Sequence, residues 1–307
     1  MFALRGIAVS LAVLVLAYTL LSLVVAFGWK LAAGARRARM NADFLFGLRM
    51  TPLAASVFVT AVFVVPSFLV LEPRSIDEAI GAIPLGLSVG CFALFAAGWF
   101  RAAAGLRRTS RIVAGWEQDG AVYGLKPGIP VMRVRGTAAS VLAVAGIWRP
   151  RVLISEAAAE ALSEAELQTA LRHEVAHVRR WDNLKKLLFR VCAFPGMARL
   201  EEAWREASEV AADEAAVSNP GEAVDLAAAV IKLSRLAAPP AAEFSTGLID
   251  SSQVGMRVER LLAWSEKRRR VCFAYAVVPG LGMVVAGMMV YGTLLAQAHA
   301  MTEWLVR

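Results

Sequence analysis

His173, Glu174 and His177 stand in the pattern H-E-x-x-H. On a helix, residues four apart share a face one turn on, so both imidazoles can reach one metal ion. Glu174 lies about 100° around the helix from His173, where its carboxylate can take a proton from an attacking water. A zinc ion at such a pair acidifies that water and polarises a peptide carbonyl, while a carboxylate that is not a ligand passes the proton to the leaving amine. The bland alternative is a chance pentapeptide on a solvated helix face. The chain has only three histidines, and two of them fall in this one motif, which scatter would not give.

One Zn2+ with two histidines needs a third protein ligand and an open position for water. The acidic residues that follow are Glu202, Glu206, Glu209, Asp213 and Glu214. Glu209 and Asp213 are four apart and share a helix face. Glu209 can therefore bind metal while Asp213 accepts the second imidazole N–H of a ligand histidine. Glu206 is the runner-up ligand and has no carboxylate four residues on. Asp182 is a candidate support of the metal helix or a partner of Arg179, with a plain surface role as an equal alternative. Tyr123 is a candidate oxyanion donor, with an arginine or a backbone N–H as competitors. His299 reads as an incidental surface residue.

These residues must be positioned by helices and a small sheet. Ser163 and Glu166 form a capping box, and Leu167, Leu171, Val175 and Val178 follow at helical spacing. The helix they open is expected to run to about Arg190 and to stop before Pro195 and Gly196. A second is expected from about Ala198 to Val217, ending at Asn219, Pro220 and Gly221, and a third over Glu222 to Leu236. A last stretch runs from Val254 to Glu266. Upstream, Val131–Arg135, Ser140–Ala145 and Arg151–Ser155 read as strands around a turn at Trp148–Pro150.

Around this region the chain is greasy, with 58% hydrophobic residues. Apolar runs cover Gly6–Trp29, Pro52–Leu71, Ala79–Phe100 and Val271–Ala296. Each suffices to cross a hydrocarbon core, which takes roughly 20 helical residues. Residues 1–100 are expected to form a three-helix membrane region, 101–270 a cytoplasmic domain, and 271–307 a fourth span with a short outer tail. Basic residues flank the spans on one side: Lys30, Arg36, Arg37 and Arg39, then Arg101, Arg107, Arg108 and Arg111, then Lys267–Arg270. The link between the second and third runs carries Glu72, Asp77 and Glu78. Basic flanks stay inside, so both termini are expected outside and the central region in the cytoplasm. The net charge of +8 follows largely from these flanks. No basic stripe interleaved with aromatics is present, so direct nucleic-acid binding is not expected. Cys91, Cys192 and Cys272 lie far apart and are expected as reduced thiols.

Gly146-Ile-Trp-Arg-Pro-Arg-Val-Leu-Ile-Ser155, the H-E-x-x-H run continuing through Val178-Arg-Arg-Trp-Asp182, and Glu209-Val-Ala-Ala-Asp213 together resemble the membrane zinc peptidases of the beta-lactam sensor-transducer (antirepressor) type. The likeness covers the four-span layout and most of the central region. It implies a protein of the bacterial cytoplasmic membrane: α-helical, with four transmembrane helices and an α+β gluzincin-like zinc peptidase domain between the third and fourth. It implies His173, His177 and Glu209 as zinc ligands and Glu174 as general base. It further implies transmembrane signalling by cleavage of a cytoplasmic protein, typically a transcriptional repressor such as a winged-helix one, or of the chain itself. The strand at Val152–Ile154 is where a substrate would pair in extended form. The sensor-transducers carry an outer penicillin-binding domain after the fourth span, and this sequence ends about ten residues past it. A signal is therefore expected through a sensor partner, a second copy of the chain, the bilayer, or the outer link near residues 72–78. General quality control of membrane proteins and a non-catalytic signalling scaffold are the competing expectations.

Overall fold

The structure is a computed structural model that describes residues 2–31, 40–73, 80–118, 121–123, 129–134, 142–236, 245–247, 254–264 and 291–306. Among these residues, three helices are long and apolar enough to cross a membrane: Phe2–Leu31, Ala42–Leu71 and Ala82–Gly115. Each of the first two has 30 residues and, at 1.5 Å per residue, a length of about 45 Å, more than the apolar core of a bilayer requires. The first is α1 (Phe2–Leu31). The second comprises α2 (Ala42–Val59), a π-helical segment at Thr60–Val64, and α3 (Val65–Leu71). The widening falls beside Pro66, which has no N–H to give the carbonyl of Val62. That carbonyl instead accepts the hydroxyl of Tyr291 at 2.8 Å.

The third apolar run lies in α4 (Ala82–Gln118), which continues well past the expected end at Phe100. The alanine- and arginine-rich stretch after Arg101 favours helix and contains no proline, so nothing stops it there. The expected fourth span falls mostly on residues 265–290, which lie outside the described residues. Its end is helical, and the helix runs from Tyr291 to Val306, beyond the expected stop at Ala296.

The sheet has five strands in the order β1-β2-β4-β3-β5: β1 (Ala121–Tyr123), β2 (Val131–Val134), β3 (Leu142–Ala145), β4 (Arg151–Ser155) and β5 (Ser245–Gly247). The three expected strands are present. The two short outer strands were not expected, because three residues carry too little alternation to register. β4 pairs with β2 in parallel and with β3 antiparallel, and Val152, Leu153 and Ile154 are fully buried. This corrects the expected substrate strand. With both edges of β4 already paired, its backbone offers no ladder to an added chain.

α5 (Glu156–Ala161) leads to α6 (Glu164–Arg179), α7 (Asp182–Val191), α8 (Ala198–Ala216), α9 (Pro220–Leu236) and α10 (Val254–Leu262); the closing helix Tyr291–Val306 is α11. Ser163 opens α6 with a complete capping box, its amide donating to Glu166 at 2.7 Å and its hydroxyl accepting from the Glu166 amide at 3.3 Å. Leu167, Ala170 and Leu171 of α6 pack with Val144, Val152 and Ile154 of the sheet and Leu226, Val230 and Leu233 of α9. A second apolar cluster joins Trp29 and Leu45 to Phe189, Met197, Leu200 and Trp204, so the first two long apolar helices and the α7–α8 pair share a core.

The single long helix expected up to Arg190 is split. Trp181 adopts φ 57°, a left-handed conformation uncommon outside glycine, and α7 starts anew at Asp182. The amides of Arg180 and Trp181 bond back to Ala176 and Val178, closing the last turn tightly before the break.

Candidate metal centre

α6 places His173 and His177 one turn apart, with 0% and 1% of their surface exposed. Their Nε2 atoms face each other at 3.1 Å. α8 brings Glu209 to the same point: its carboxylate oxygens lie 3.5 Å from His173 Nε2 and 3.5 Å from His177 Nε2. Ligand atoms of all three residues fall within 4.8 Å of one another.

The far side of each imidazole faces a carboxylate. His177 Nδ1 is 2.7 Å from Asp182 Oδ2, and His173 Nδ1 is 2.9 Å from Asp213 Oδ1. A carboxylate accepts, so the Asp182 hydrogen bond favours the proton on His177 Nδ1, and the negative charge of Asp213 beside His173 Nδ1 favours it there, which leaves both Nε2 lone pairs aimed inward. Two lone pairs and a carboxylate converging in a buried spot repel one another unless a cation lies between them. The donor set thus fits a divalent ion of the kind that takes nitrogen and oxygen ligands.

The electrostatics agree. Burial works against a charge on His173, but Asp213 and Glu209 overcome it and raise its pKa to about 9. For His177 burial prevails, and its pKa falls. Burial also opposes the Glu209 carboxylate, yet His177, His173 and Arg257 hold it well below the usual carboxylate range. The site draws positive charge.

Glu174 is fully buried beside this point. Its Oε2 accepts the amide of Val144, on β3, at 3.1 Å. Its Oε1 is buried with no hydrogen-bond partner among the described residues. Burial pushes its carboxyl up to about 8, with Glu209 adding to the rise and His173 opposing it. A carboxyl so placed is a better proton acceptor than an exposed glutamate.

The expected site residues fare differently. His173, Glu174, His177, Glu209 and Asp213 come together. Asp182 joins them, fully buried and not on the surface, with Arg180 rather than Arg179 near it at 3.8 Å. Glu206 lines a separate surface cleft with Arg199 and Glu202. Tyr123 ends β1, three strand spacings or about 14 Å across the sheet from β3, so the fold does not bring its backbone to the site. His299 lies 3.9 Å from Glu72 in a cluster with Glu303, where Arg5 pairs with Glu72 at 2.9 Å, well away from the metal helices.

Three residues were missed. Arg257, on α10 and 2% exposed, donates through Nε and Nη2 to the two oxygens of Asp213 at 2.9 and 2.5 Å, and its Nη1 lies 3.1 Å from Glu209. Burial opposes its charge, but Asp213 and Glu209 keep the guanidinium firmly protonated. Its signal was available: Val254, Val258 and Leu261 form one apolar face of α10, and Arg257 stands alone among them. Asn183, on α7, donates to the carbonyl of Gly146 at 3.1 Å and ties α7 to the β3–β4 turn. Lys186, half-buried on α7, has its pKa lowered by burial against the pull of Glu209, Asp182 and Glu174.

β5 bears on the site through its backbone. It pairs antiparallel with β3, Val144 opposite Thr246, along the strand whose amide holds Glu174. The edge of the sheet beside the metal helices is therefore covered by a segment of the chain itself.

Two histidines, a glutamate and a neighbouring free carboxyl oxygen on two packed helices define a metallopeptidase type of centre. Residues 92–261, more than half of the chain, match the family described as BlaR1 peptidase M56, and the chain belongs to that family of membrane-associated metallopeptidases. No curated protein matches the chain.

Proposed function

We propose that the protein is a membrane-anchored zinc endopeptidase in which His173, His177 and Glu209 hold one zinc ion and Glu174 is the general base. The observation that carries this reading is the convergence of both Nε2 atoms and the Glu209 carboxylate, each imidazole held from behind by a buried aspartate. Zinc held there supplies the Lewis acidity that polarises a scissile carbonyl and acidifies the attacking water. Glu174 Oε1 takes the proton of that water and delivers it to the leaving amine, while the Val144 amide fixes the other oxygen. Asp182 and Asp213 keep the imidazoles in the ligating tautomer, and Arg257 neutralises Asp213 and the back of Glu209.

The wider reading is a four-span protein of the bacterial cytoplasmic membrane, with a gluzincin-like domain at residues 101–270 facing the cytoplasm and both termini outside. Its target is a cytoplasmic regulator, such as a winged-helix repressor, cut in response to a signal received through a partner or the bilayer. Basic flanks on one side of each span and the family membership support it. The test is a comparison of new protein N-termini in cells expressing the wild type and Glu174→Gln. A single regulator cut at one site supports signalling, many unfolded chains support quality control, and no difference refutes the peptidase.

A second reading, cleavage of the chain itself, is favoured by β5. An extended segment lying antiparallel along β3 next to Glu174 has the form of a bound peptide. Purified wild type incubated with zinc would then yield a fragment beginning at or beside residues 245–247, and Glu174→Gln would stay intact.

A further inference from the structure

Helix α7 ends at Val191, and the turn to α8 reads Cys192-Ala-Phe-Pro-Gly-Met197. A helix C-terminus leaves carbonyls without intrahelical partners. Here one of them, that of Cys192, receives two donors from two different membrane helices: the Tyr18 hydroxyl from α1 at 2.6 Å and Arg49 Nη2 from α2 at 2.8 Å. Arg49 also donates through Nε to Glu201 on α8 at 2.8 Å, and its guanidinium lies 5.5 Å from the ring centre of Phe189 on α7. Tyr18 and Arg49 are 0% and 1% exposed.

The third membrane helix closes the seat. Gly98 of α4 packs so tightly on Val191 that a Cβ there would collide with the Val191 carbonyl. Gly196, at φ 90°, faces α1: a Cβ built on it would lie 3.6 Å from Ala26 Cβ. The Tyr18 ring lies between Phe95 of α4, to which it is tilted, and Phe194 of the turn, which it meets edge to face. Tyr18 stands 13 residues before the end of α1, or about 20 Å along it, so the α7–α8 turn is wedged among all three apolar helices.

Both arms of this hairpin end at the metal centre. α7 starts with Asp182, which holds His177, and α8 carries Glu201, then Glu209 and Asp213 two and three turns on. α7 carries the Cys192 cap at one end and Asp182 at the other, and Arg49 also holds Glu201 of α8, so a displacement of this seat bears on Asp182 through one helix and on Glu209 through the other.

We propose that Tyr18 and Arg49 are positioning residues for the metal centre: through the Cys192 carbonyl, the packing of the membrane helices sets how well Asp182 and Glu209 meet the two histidines. This rests on the zinc reading above. It makes the seat the point at which a change among the membrane helices alters the peptidase, and the coupling must run both ways.

The full-length chain in lipid nanodiscs, with Cys91→Ala and Cys272→Ala, leaves Cys192 as the single thiol. Two quantities are then measured: the affinity and absorption spectrum of Co2+, and the rate of Cys192 modification by N-ethylmaleimide with and without zinc. Zinc is expected to slow the modification at least about fivefold in this parent. Tyr18→Phe and Arg49→Lys are expected to weaken Co2+ binding about tenfold, to change its spectrum and to remove the zinc dependence of labelling, with circular dichroism preserved. A parent that binds Co2+ but labels at one rate with or without zinc overturns the inference alone, without needing any variant to fold. Variants with parental Co2+ affinity and spectrum do the same. A parent that binds no metal overturns the zinc reading and the inference with it.

Discussion

Asp182 Oδ2 lies 2.7 Å from His177 Nδ1, although five residues along an unbroken helix would carry it about 140° away from that imidazole. The left-handed turn at Trp181 removes the conflict by ending α6 and restarting the chain as α7 with Asp182 in its first turn. The break in the helix thereby serves the candidate metal centre: it turns a distant carboxylate into the support of His177.

Asp182→Ala should therefore weaken zinc binding by about 10- to 100-fold, the usual cost of removing a carboxylate behind a ligand histidine. Competition against a chromogenic chelator measures this. Glu206→Ala, on the same acidic stretch but away from the histidines, should leave the affinity unchanged.

Arg257→Met should destabilise the fold by about 3 kcal/mol, because it strands the buried carboxylates of Asp213 and Glu209 without their cation. Denaturant unfolding of the metal-free chain in detergent reads this directly. Zinc should recover part of the loss by neutralising Glu209.

The histidine motif, its capped helix and the Glu209–Asp213 pair were legible in the sequence because each is a matter of helical period within one element. Ser163 and Glu166 announce the start of α6 by local chemistry in the same way. What was not legible depends on chain reversal. The break at Trp181 has no glycine to mark it, so α6 and α7 read as one helix and Asp182 read as ambiguous. Arg257 meets Asp213 across 44 residues, and only its isolation on an apolar face hinted at a buried partner. Strand composition located β4 but not its neighbours, so its closed edges, and the covering of β3 by three residues from far along the chain, emerge only in the assembled sheet.

Ser163→Ala should cost about 1 kcal/mol by removing the hydroxyl half of the α6 capping box, with zinc affinity maintained. Thermal melting of the wild type and variant, each with zinc, checks this. The residue is ten positions before His173, so a loss of affinity would mean that the start of α6 bears on the metal site more directly than its geometry indicates.

Removal of metal by a strong chelator should abolish cleavage and lower the melting temperature, since an ion bound to the native site alone stabilises it in proportion to the logarithm of its concentration over Kd. One equivalent of zinc should restore both.

In the proposed mechanism His173, His177 and Glu209 bind zinc while Glu174, which does not, carries the proton. Zinc content and fragment production measured side by side for wild type and Glu174→Gln test it most directly. Both proteins are expected to hold one zinc per chain, and the variant to lose cleavage by at least about 100-fold. A variant that cuts at the wild-type rate, or a wild type that cuts with no zinc bound, would contradict it.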